Sequence, residues 1–237
     1  MARVRPPRAA AAQPAGPTRR LPLLLPAARP YAKEGTLVFI RRATFTPIIG
    51  KTMALRDALV ALNTLATPRV IARRIGGPVQ FAINQAFDDL AAFEDWYRRY
   101  TPNPEIVGLV TSAAWELWDL RVPPPPNAPP ANFTTRTTYR AASIPALREL
   151  LSEIEQRVSK TNAAGGVGNV WLSVTGVAPC VAVVNGFESL AAFEKSRAAG
   201  LAVLGNMETL AFAQRIAPLL AGPQDGIELF EILTRLA

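Results

Sequence analysis

Apolar and polar positions alternate, then switch to a three-to-four spacing, in one order that occurs twice between residues 36 and 237. TLVFIRRATF (36–45) is β-branched and aromatic and reads as a strand, with a turn at Thr46-Pro47. MALRDALVALNTLA (53–66) sets Leu55, Leu59, Leu62 and Leu65 or Ala66 on one face of a helix that Pro68 ends. RVIARRI and VQFAINQ read as two antiparallel strands around Gly76-Gly77-Pro78. LAAFEDWYRRY follows as a helix capped by Asp88 or Asp89, and SAAWELWDLRV closes the set as a fourth strand.

The second half repeats this order. NFTTRTTYRA is a strand, and ALRELLSEIEQRVSKT a helix with Leu147, Leu151, Ile154 and Val158 on one face. NVWLSVTG and VAPCVAVVN form a hairpin, ESLAAFEKSRAAG a helix, and GIELFEILTRL a last strand. FDDLAAFE (87–94) and FESLAAFE (187–194) are identical at six of eight positions, a period too long for a solenoid. Their Phe and Leu side chains are expected to pack helix against sheet, with Glu94 and Glu194 facing solvent. Residues 203–221 read as an insertion carrying an extra helix. AAGGVG (163–168) follows a helix and lacks the Lys-Ser/Thr pair of a phosphate-binding loop, so it reads as a helix-ending turn.

These patterns divide the chain into an N-terminal extension (1–34), a first unit (35–122), a stiff proline-rich linker (123–131) and a second unit (132–237). Each strand-helix-strand-strand-helix-strand unit gives a four-stranded antiparallel sheet with both helices on one face, so each leaves a face to bury. Packing the two sheets face to face meets that need and makes a closed or nearly closed barrel.

Composition then localises the charge. The formal net charge is +8, and residues 1–33 hold six Arg and one Lys but no acid, so the body is nearly neutral. Nucleic-acid binding therefore gains no support from the high pI, and no apolar run is long enough to span a membrane. The extension is rich in Ala, Arg and Pro and cannot build a core. Arg29-Pro30-Tyr31 before Ala32 is similar to a mitochondrial processing site, implying a matrix protein. Its seven prolines suit instead an irregular bacterial N-terminus, implying a cytoplasmic one. Cys180 is the single cysteine and histidine is absent. This excludes an intrachain disulfide, His-type catalytic triads and His-containing metal sites.

With this element order in view, the chain resembles the dimeric α+β barrel superfamily: two ferredoxin-like βαββαβ repeats fused in one polypeptide as a pseudo-dimeric α+β barrel. Within it the chain is similar to antibiotic-biosynthesis-monooxygenase (ABM) type domains and to tandem NIPSNAP-like proteins. The resemblance implies a small-molecule ligand and no cofactor. It implies either a cofactor-independent monooxygenase or isomerase acting on an aromatic or polyketide-like substrate, or a non-catalytic ligand-binding or protein-interaction protein. Internal pairing of the repeats would leave a monomer or a weak homo-oligomer.

Alternation along the strands nominates the barrel lining. Arg42 and Thr44 share a face, as do Arg136 and Thr138; Glu116 pairs with Trp118, and Glu228 with Phe230. Arg73 or Arg74, Gln80 and Asn84 are candidates on the first hairpin, and Trp171, Ser173 and Thr175 on the second. Under the superfamily resemblance, Arg42 serves as an anion clamp, Asn84 as a hydrogen-bond partner and Trp118 as a stacking wall. The plainer reading of Arg and Glu at matching positions is a satisfied ion pair between strands.

Overall fold

Eight strands close into one antiparallel barrel in the order β1-β3-β2-β8-β5-β7-β6-β4, with β4 returning to β1. The structure, a computed structural model, describes residues 38–63, 69–176, 178–203, 207–222 and 226–234, with side chains omitted at 200–203. The strands are β1 (Phe39–Pro47), β2 (Val70–Ile75), β3 (Phe81–Phe87), β4 (Val110–Val122), β5 (Phe133–Arg140), β6 (Gly168–Ser173), β7 (Cys180–Phe187) and β8 (Glu228–Ile232). The helices are α1 (Thr52–Ala61), α2 (Leu90–Arg99), α3 (Pro104–Val107), α4 (Ile144–Ala163), α5 (Leu190–Val203) and α6 (Met207–Ile216).

This corrects the expected fold class. Two ferredoxin-like sheets packed face to face, as a pseudo-dimeric α+β barrel, are not what the chain forms. β2 pairs with β8 and β4 pairs with β6, so the strands make one continuous hydrogen-bonded surface. The physical reason lies in the edges: an open four-stranded sheet leaves rows of unpaired N–H and C=O groups, and closure satisfies both rows. Strand alternation says which residues share a face but carries no information on which edges join.

Local chemistry sets the helix boundaries. The Asp89 carboxylate accepts the Ala92 N–H at 2.7 Å, the Ser143 hydroxyl accepts the Ala146 N–H at 3.2 Å, and the Ser189 hydroxyl accepts the Ala192 N–H at 3.1 Å. α4 gives way to a turn in which Gly165 has φ +90°, a conformation that favours glycine. The short α3, begun by Pro104 and capped by Asn103, was not expected from the sequence. The inserted helix is α6, followed by a 3-10 turn at Ala217–Leu219. Both the 1–34 extension and the end expected for the first helix, 64–68, lie outside the described residues.

The core is layered. Outside the barrel, Leu55 and Leu59 of α1 pack on Phe45, Ile71, Phe81 and Ile83, while Leu150, Ile154 and Val158 of α4 pack on Val170 and Val181. Inside, Val38, Ile40, Trp118, Leu120, Trp171, Ala182 and Val184 fill the middle. The LAAFE helices seat Phe93 against Phe87 and Phe193 against Phe187, each pair at 5.4 Å between centroids. Leu90 and Leu190, expected to pack, are instead exposed at the start of their helices.

Candidate functional site

One end of the barrel is open. A cavity of ≈560 Å³ there is lined by Arg74, Glu116, Trp118, Arg136, Thr138, Arg140, Thr175, Cys180 and Glu228, among others. The pleat explains the grouping. Arg42 lies opposite Glu116 on the β1–β4 ladder, and Arg136 opposite Glu228 on the β5–β8 ladder, so all four point into the barrel.

Arg136 is the centre of this mouth. One terminal nitrogen lies 3.3 Å from Glu116 Oε2 and the other 3.7 Å from Glu228 Oε2, so it spans carboxylates from both halves. Its guanidinium carbon stands 4.8 Å from the ring centroid of Trp118. The Trp118 indole N–H donates to the same Glu116 Oε2 at 3.2 Å. Both donors to Glu116 thus fall on one oxygen. Arg74, on the neighbouring strand β2, reaches Glu228 at 3.6 Å.

Arg42 is deeper and differently held. It donates to Asn84 Oδ1 at 3.1 Å and lies 4.7 Å from the centroid of Phe230, with no carboxylate in ion-pair range among the described residues. Burial, with Arg136 adding repulsion, pushes its guanidinium down to about 9, which still leaves a cation at neutral pH. Among the described residues, the layer formed by Arg42, Arg74 and Arg136 against Glu116 and Glu228 has one positive charge in excess, and Arg140 stands at the rim. The Nε–H groups of Arg42 and Arg136 are buried without a partner.

The nine sequence-nominated residues therefore separate. Glu116, Trp118, Arg136 and Glu228 line the mouth together. Arg42, Asn84 and Phe230 form a layer adjoining it. Trp171 is buried beside Trp118 at 6.2 Å and does not reach the cavity, and its indole N–H has no partner. The Ser173 hydroxyl accepts the Cys180 backbone N–H at 3.0 Å, tying the β6–β7 hairpin.

Of the open choices, Arg74 faces the mouth while Arg73 bonds Glu231 at 2.6 Å on the outside. Trp118 is inside, whereas Trp115 is exposed on the outer face against Phe93 and Tyr97. Arg140 and Cys180 were not nominated. Arg140 continues the inward face of Arg136 and Thr138, so alternation contained that signal. Burial raises the Cys180 thiol above its ordinary value, which keeps it protonated and poorly nucleophilic.

Among the described residues no group of three or more metal-ligating side chains converges, and no helix is long and apolar enough to cross a membrane. No family model and no curated protein matches the sequence. The fold is nevertheless shared with solved structures. An anthrone oxidase-like protein superposes with a TM-score of 0.60 at 13% identity, over 85% of this chain and 93% of that one. A candidate monooxygenase of Fusobacterium nucleatum gives 0.57 at 12% identity, over 84% and 94%. A candidate monooxygenase of Lactobacillus acidophilus gives 0.56 at 10% identity, over 84% and 95%. At these identities the likeness is one of fold.

Proposed function

We propose that the mouth binds a small aromatic or polyketide-like molecule as its anion, and that the protein is a cofactor-independent monooxygenase. The observation that carries this reading is Arg136, held over the face of Trp118 at the floor of an open, net-positive cavity. A phenolate or enolate has guanidinium donors there in a partly dehydrated setting, where they are strongest. The barrel shared with an anthrone oxidase-like protein supports the reaction class.

In the reaction proposed, a CH2 group flanked by aryl or carbonyl groups loses a proton and its carbanion reacts with dioxygen. The carbon ends as C=O and the second oxygen leaves as water, so CH2 and O2 balance C=O and H2O. Glu116 is the base in this scheme: one oxygen is anchored by Arg136 and Trp118, leaving the other to take the proton. Arg136 holds the developing oxyanion, with Arg42 adding positive potential from behind.

One observation favours a second reading. Trp118, Trp171 and Phe230 fill the barrel's middle, so a ligand stops at the mouth and both carboxylates stay engaged by Arg136. A non-catalytic, NIPSNAP-like ligand-binding protein would look the same. Oxygen uptake with a 1,8-dihydroxyanthrone separates the two. Catalysis predicts uptake that Arg136→Gln lowers by roughly a hundredfold or more, the usual effect of removing one oxyanion donor. Saturable binding without uptake supports the carrier. No binding of the anthrone at all sinks both.

A further inference from the structure

A second cavity, of ≈520 Å³, lies outside the barrel, between the outer face of β5 and β7 and helices α4, α5 and α6. It shares no lining residue with the mouth. Its origin is visible in the sequence. LAAFEDWYRRY and LAAFEKSRAAG place Ser196 where the first half has Trp96. Trp96 fills the space beside Phe87 at 5.6 Å, whereas Ser196 and the matching Phe187 are both left lining the cavity.

The cavity is not simply a packing defect, because its lining is chemically divided. Ile154, Val158, Val183 and Phe187 give an apolar floor. At one side stands Arg157, which donates to the Thr209 hydroxyl at 3.0 Å and lies 5.5 Å from the centroid of Phe212. Its neighbours' carboxylates are engaged elsewhere: Glu153 by Arg215 and Glu155 by Arg121. Among the described residues no carboxylate pairs with Arg157. A half-buried guanidinium with donors to spare, beside an apolar chamber, is matched by an anion with an apolar body. The volume falls within the ordinary range for small-molecule sites.

We propose that this cavity is a second binding site, taking a small apolar monocarboxylate whose carboxylate meets Arg157 and whose body lies on the outer face of β5 and β7. The proposal is independent of the reading of the mouth.

Titration calorimetry of the full chain with octanoate, octanol and octylamine tests it. Octanoate is expected to bind best, octanol more weakly, and octylamine not at all. Arg157→Gln should weaken octanoate by roughly tenfold while leaving octanol unchanged, as loss of a charge-assisted pair predicts. Ser196→Trp, which restores the first half's filling, should abolish both, and Arg136→Gln at the mouth should change neither. Equal binding of octanoate and octylamine, octanoate binding indifferent to Arg157→Gln, or no binding to the unaltered chain overturns the proposal. If Ser196→Trp fails to fold, as circular dichroism would report, Arg157→Gln decides alone.

Discussion

The flanks under α2 and α5 start from the same residues and end as opposites. Both helices begin LAAFE and both seat a Phe edge-on against a Phe of the sheet. Beyond that point the first flank is a continuous stack of rings. Phe93 meets Trp96, Tyr97 and Trp115 at 5.9–6.0 Å, Tyr97 meets Trp115 at 5.8 Å, and Trp96 meets Tyr100 at 4.8 Å. Arg41 is buried beneath them, 4.4 Å from Trp96 and 5.3 Å from Tyr100. On the second flank Thr135 stands for Arg41, Ser196 for Trp96 and Gly200 for Tyr100. The difference teaches that the shared motif fixes where the helix lies, and three positions outside it decide whether the space is filled or left as a chamber.

The comparison breaks most sharply at Trp96. Trp96→Ser makes the first flank resemble the second without α6 to roof it. It removes ring packing and strands the buried Arg41, so urea unfolding should show a loss of about 2–4 kcal/mol. An unchanged midpoint would mean that the ring stack contributes nothing to holding α2. A smaller term isolates the pair itself. A double-mutant cycle between Arg41→Gln and Trp96→Leu should give a coupling of about 1–2 kcal/mol, the range for a desolvated cation over an indole. Additive losses would show that Arg41 is merely covered, not bound, by the ring.

The smallest effect concerns Tyr139, which lines the second flank's cavity where the first half has Phe45. Burial raises the Tyr139 phenol above its ordinary value. The native state therefore keeps that proton to higher pH than the unfolded chain, and stability falls as pH climbs past about 10, where unfolded tyrosine ionises. Tyr139→Phe should flatten that alkaline limb, read as thermal midpoints from pH 8 to about 11. An unaltered slope would place the alkaline loss on other groups.

Much of this was legible in the chain. The period-two pattern of FIRRATF, FTTRTTYR, WELWDL and ELFEI said which residues share a face but not which face turns inward, since FIRRATF carries Arg42 on one face and Arg41 on the other. It grouped Arg136, Glu116, Glu228 and Trp118 because each stands at the same phase of its strand. It could not choose between Arg73 and Arg74 or between Trp115 and Trp118, where neighbours of like kind occupy both phases. Nor could it give the joining of β2 to β8 and β4 to β6, because ladder partners are chosen by backbone groups every residue carries. The ion pairing of Arg136 with Glu116, across the barrel rather than along a ladder, needed the closed geometry. The second cavity was written in the Trp96-to-Ser196 change, but a missing side chain has no pattern of its own.

The seam that closes the barrel also governs how the chain becomes a barrel at all. Arg73 and Glu231 meet across that seam although 158 positions separate them. During synthesis, β1 to β4 emerge well before β8, and for that interval β2 and β4 are bare edges able to pair with another nascent chain. Closing so long a loop costs entropy before any seam contact repays it, which places this protein among the slow folders. The joint that leaves the finished molecule without an edge is thus the last to form, and the time before it forms is when the chain is most exposed to misassembly.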